Sequence, residues 1–76
     1  MVEIASRIVL DETIRSGKPI IRGTRVPVDL VLGKLAGCMM IDAVMADYDL
    51  VREDVLAALS YAARSLADDE VRAVKR

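Results

Sequence analysis

The sequence predicts a mostly helical domain: a short two-stranded β arm followed by three helices arranged as a helix-turn-helix unit. Three observations lead there. Ile and Val punctuated by Gly17, Pro19, Gly23 and Pro27 dominate the first third. Apolar residues then recur at i, i+3, i+4 and i+7 from Val28 onward. Finally, two of the periodic segments are separated by a turn of a few residues, "DYDLV".

The β arm comes first, over residues 1–27. "IASRIVL" (4–10) and "PIIRGTRVPV" (19–28) are strand-like in composition and read as two short strands. Pro19 and Pro27 lack a ladder donor, which places them at edges or strand ends. A two-stranded ribbon is marginal alone in water, so the helices or a second copy of the chain must cover it. Gly17 and Gly23 are expected to supply positive φ at two bends.

The helical unit spans residues 28–66. Val28, Val31, Leu32 and Leu35 define a first helix of about ten residues, with Gly37 placed where a left-handed cap would end it. Ile41, Val44, Met45 and Tyr48 define a second of about seven. A third of about fifteen begins near Arg52, with Val55, Leu59, Ala62 and Leu66 as its inward stripe and Ala58 and Ala63 beside it. Glu53 and Asp54 suit its positive N-terminal end. Residues 67–76 read as a helical extension or frayed tail.

Composition narrows the function. The 76 residues contain no Phe, Trp or His and one cysteine, so the core must be aliphatic. Without histidine the commonest metal ligand and general base are missing, and no nucleophile constellation stands in for them; the chain is expected to be neither an enzyme nor a cofactor binder. Cys38 reads as a small apolar filler near a helix end. No run approaches the roughly 20 apolar residues of a membrane helix, and a leader pattern is missing, so a cytoplasmic location is expected.

The net charge of −1 is unevenly spread. Residues 1–34 hold six cations against four anions, whereas residues 35–67 hold Arg52 and Arg64 against Asp42, Asp47, Asp49, Glu53 and Asp54. Any attraction for phosphates therefore belongs mainly to the N-terminal third. Lys18, Arg22, Arg25, Arg52 and Arg64 are the candidate contacts to DNA or a protein partner. "GKPIIRGTRVPV" is not a phosphate loop: Pro19 removes an amide after Lys18, and Thr24-Arg25 leads into further strand-like sequence.

"GKPIIRGTRVPVDLVLGKLAG" followed by "IDAVMADYDLVREDVLAALSYAA" resembles the small bacterial and archaeal proteins grouped as domain of unknown function 433. The likeness runs over roughly residues 8–64. It implies the homeodomain-like helix-turn-helix with its β arm, and an antitoxin role of the VapB-like type beside a PIN-like ribonuclease toxin. Operator DNA is a further implied partner, and in antitoxins of this broad type a flexible segment, here 66–76, holds the toxin. The family pattern has Ser or Thr before the second and third helices, where this chain has Met40 and Val51. A homodimer or higher homo-oligomer joined through the ribbon is expected. The alternative is a protein-interaction module that dimerises and binds no DNA, favoured by the acidic pI of about 5.3.

Overall fold

The computed structural model describes the backbone of residues 1–74 and the side-chain surroundings of residues 1–69. It contains strands β1 (Val2–Ala5), β2 (Ile8–Leu10) and β3 (Ile20–Ile21), then helices α1 (Val28–Ala36), α2 (Ile41–Tyr48) and α3 (Arg52–Val74). The helices begin where the periodicity puts them, and the domain is mostly helical.

The arm differs from the expected ribbon. It is a three-stranded antiparallel sheet in the order β1-β2-β3. "IASRIVL" is not one strand but spans a hairpin, turning at Ser6-Arg7 with Arg7 at φ 66°. No glycine or proline marks that turn, which is why composition conceals it. The "PIIRGTRVPV" stretch is not one strand either, because it folds back on itself. The Ile21 amide donates to the Val26 carbonyl at 2.9 Å, and Pro27 bridges Ile20. Thr24 closes the loop, its hydroxyl donating to the Ile21 carbonyl at 2.8 Å and accepting the Val26 amide at 3.0 Å. Gly17 and Gly23 take φ of 81° and 80°, as their positions at bends require.

The return of the chain to Pro27 occupies the outer side of β3, so β1 is the free edge among the described residues. Pro27 then starts α1 at low cost, since a residue at the helix boundary has no intrahelical use for an amide proton. The Val28 amide donates to the Pro19 carbonyl at 2.9 Å and ties the helix to the loop.

The core is aliphatic. Ile8 and Ile21 from the sheet meet Val28 and Val31 of α1, Val44 of α2, Leu50 of the turn, and Val55 and Ala58 of α3. Val9 and Ile20, paired across β2 and β3 and pointing to the opposite face, are also buried.

Two helix ends depart from expectation. Gly37 has φ −83°, so it is not the left-handed residue; Cys38 is, at φ 71°. The Cys38 amide donates to the Leu35 carbonyl at 3.1 Å, which draws the left-handed step one residue later. Cys38 is exposed and does not fill the core. α3 also runs on to Val74 where about fifteen residues were expected, so the 67–74 stretch is helix and the last two residues lie outside the described ones.

Candidate partner-binding surface

α2 and α3 are joined by Asp49-Leu50-Val51. Asp49 turns the chain in the left-handed conformation at φ 55°, and Leu50 plugs the corner as a buried residue. The N-terminus of α3 is held by Asp54: its Oδ2 accepts the Val51 amide at 3.1 Å, the carboxylate half of a capping box. Its Oδ1 accepts from Arg7 Nη1 at 2.9 Å. This ion pair joins the β1–β2 turn to the start of α3 across 47 residues of sequence.

Met40 and Val51 precede α2 and α3 with apolar side chains, and Met40 gives its helix no side-chain cap. Neither is buried within the chain: Met40 is 75 % and Val51 50 % exposed.

Three of the five candidate cations are already paired. Lys18 Nζ lies 3.1 Å from Asp29 Oδ2, Arg22 Nη1 3.2 Å from Glu3 Oε1, and Arg52 Nη2 3.0 Å from Asp42 Oδ1. Arg25 and Arg64 make no ion pair among the described residues; the Arg25 carbonyl accepts from Arg15 Nε at 3.2 Å. The structure thus disperses the five. Lys18, Arg22 and Arg25 sit on the loops around β3, Arg52 opens α3, and Arg64 lies three turns along it.

Arg64 lines an open cleft of about 350 Å³ between the β1–β2 turn and α3, with Ser6, Arg7, Glu53, Ser60 and Tyr61. On the other side of Tyr61 lies an apolar groove of about 270 Å³, walled by Pro19, Val28, Leu32 and Ala62, with the Lys18–Asp29 pair at its rim. Neither hollow has a catalytic constellation. Among the described residues no group of His, Cys, Asp or Glu could hold a metal ion, and no helix is long and apolar enough to cross a membrane.

α3 also corrects the reading of its faces. Val55 and Ala58 are buried, but Leu59 and Leu66, expected to point inward, are 38 % and 64 % exposed, and Leu56 is 50 % exposed. Ala63 is exposed with them. The helix carries a second apolar stripe, Leu56, Leu59, Ala63 and Leu66, left uncovered among the described residues. Arg7, the partner of Asp54, was not singled out in the sequence either. Its signal is three-dimensional, because nothing local marks a residue whose partner lies 47 positions away.

Comparison with known proteins places the chain. No curated protein matches it. The crystal structure of Rv2018 from Mycobacterium tuberculosis is similar, with a TM-score of 0.64 and 35 % identity. The likeness covers 68 % of this chain and 24 % of that one, so the chain matches about a quarter of its neighbour's length. A family model described as a protein of unknown function, DUF433, matches residues 8–62, the segment that holds the inner strands, all three helix starts and the core. The chain belongs to the DUF433 family.

Proposed function

We propose that this chain is the antitoxin of a toxin–antitoxin pair, acting by binding a PIN-like ribonuclease. The role is taken from the family resemblance. The observation that supports a protein partner over a nucleic acid is the state of the cations: Lys18, Arg22 and Arg52 are matched by Asp29, Glu3 and Asp42. Binding DNA phosphates would require them to give up those partners.

A protein partner needs no such exchange. The apolar groove beside Tyr61 offers a seat for an apolar anchor, and Arg25 and Arg64 remain to meet carboxylates. A ribonuclease with clustered acidic residues is a complementary surface, and such complementarity speeds encounter more than it adds affinity.

The homeodomain-like description belongs to the same proposal. In this proposal α2, its three-residue turn and α3 serve as the helix-turn-helix, with α3 as the recognition helix. Operator DNA is the second partner in this reading and the less favoured one. Glu53 stands in the first turn of α3, and Asp47 and Asp49 lie on α2 and the turn beside it. Carboxylates there repel phosphates.

The test is co-expression with each candidate PIN-like ribonuclease of the same genome, any encoded beside this gene first. Growth restored by the chain, and a complex that elutes together in gel filtration, is the expected result. An adjacent nuclease whose toxicity the chain leaves unchanged would refute the role. Gel shift on the chain's own promoter in low salt decides the DNA arm; binding there that weakens steeply with salt would restore DNA as a main partner.

A further inference from the structure

We propose that the uncovered stripe of α3 is the seam of a homodimer in which two α3 helices pack antiparallel about Tyr61. The seam borders the apolar groove at Ala62 and the open cleft at Leu56 and Ser60, and it stands without the antitoxin reading.

The argument begins with spacing. Leu56, Leu59, Ala63 and Leu66 recur at alternating steps of three and four, the interval that keeps residues on one side of a helix. All four are exposed, so the stripe has no use inside the domain. From Leu56 to Ala67 the sequence holds one charge, Arg64, which lies well around the helix from the stripe. A solvent-facing helix surface normally carries more charge than that.

The stripe is also self-complementary when reversed. Turning a second copy about the midpoint at Tyr61 sets Leu56 opposite Leu66 and Leu59 opposite Ala63, so a large residue meets a small one at the centre. The flanks that meet themselves are small: Ser60 faces Ser60 of the second copy, and Ala62 faces its own counterpart. Small flanks let helix backbones approach closely. The antiparallel arrangement also sets opposite helix-dipole ends side by side. A two-fold interface sets one surface against its own copy, and the large-against-small pairing of Leu59 with Ala63 and the small flanks allow it.

The seam from Leu56 to Leu66 is about 15 Å long at 1.5 Å per residue. An interface of that length falls at the small end of specific contacts, below roughly 1,200 Å², so the dimer is in exchange with monomer.

Sedimentation equilibrium of the full chain over a wide concentration range tests the proposal. A concentration-dependent monomer–dimer equilibrium is expected. Leu59→Lys should weaken it at least tenfold while leaving the far-ultraviolet circular dichroism of the dilute protein unchanged, because Leu59 is outside the buried core. The antiparallel register is read by oxidative cross-linking in a Cys38→Ser background. Ser60→Cys should cross-link to its own copy and Ala67→Cys should not, whereas a parallel pair would hold each flank across the seam from its copy and cross-link at neither. A chain that stays monomeric at millimolar concentration overturns the proposal. So does a dimer that Leu59→Lys leaves intact and Ile4→Lys, on the free β1 edge, breaks.

Discussion

Asp54→Ala removes two interactions with one substitution, and its cost can be worked from the structure. Oδ2 caps the Val51 amide at 3.1 Å, and loss of a helix cap costs about 1 kcal/mol. Oδ1 takes a charge-assisted hydrogen bond from Arg7 at 2.9 Å, with the Asp54 side chain 13 % and the Arg7 side chain 37 % exposed. Full burial would make that pair worth more, but solvent reaches Arg7, so about 1 kcal/mol is the appropriate figure. Together they give about 2 kcal/mol, a fall of roughly 10 °C in Tm for a domain of this size. Arg7→Ala should cost about 1 kcal/mol. Arg7 already sits at φ 66°, and alanine inherits the same backbone strain, so the loss reports the side chain. Urea unfolding of both variants and the double variant, at concentrations below those of the dimer, measures the coupling. A coupling near 1 kcal/mol is expected, and one below about 0.3 kcal/mol would refute the claim that this pair clamps the hairpin to α3.

Other substitutions test other parts of the fold. Met40→Ser and Val51→Thr should each add about 1 kcal/mol, because Met40 stands uncapped and exposed, and Val51→Thr would complete the box that Asp54 half supplies. An unchanged or lower Tm in dilute protein would show that capping does not limit these helices. Cys38→Gly should stabilise by roughly 1 kcal/mol by relieving a left-handed φ of 71°, while Gly23→Ala should destabilise by a similar amount, although its added methyl meets no atom within 4 Å. Thermal melts of the two variants read opposite signs if backbone conformation decides. The Thr13 hydroxyl, and with it the Thr13 amide, holds the Asp11 carboxyl below its ordinary value of 3.8. A depressed folded-state pKa favours folding above the ordinary value, and this contribution is lost as pH falls through the folded pKa. Thr13→Val should raise the Asp11 titration midpoint in carbon-detected NMR; an unmoved midpoint would contradict the assignment.

The sequence made the helices legible and the sheet much less so, for physical reasons. Val28 to Leu35 and Ile41 to Tyr48 each repeat an apolar face, and a short helix with one such face has one way to lie on a core. α3 has two apolar faces. Val55 and Ala58 on one and Leu59 and Leu66 on the other look alike to periodicity, and the choice between them falls to the packing of Val44, Leu50 and Ile8. The β1–β2 hairpin escaped because Ser6-Arg7 turns without a glycine or proline, stabilised by the Arg7 amide donating to Glu3 Oε2 at 3.2 Å. At the candidate surface, residue types identified the cations, but their carboxylate partners lie 10 to 19 positions away in the chain and appear only on folding. Those partners neutralise three of the scattered candidate phosphate contacts. The likeness to the DUF433 pattern was legible because its G-K-P, R-G-T-R and L-A-G segments set bends and helix ends that the fold needs.

The central proposal is that this domain acts on a protein, and inhibition of a candidate PIN-like ribonuclease by the purified chain tests it most directly. Stoichiometric loss of RNA cleavage as the chain is titrated in, diminished by Arg64→Ala, is the result the account predicts. Undiminished cleavage with the chain in large molar excess would contradict it.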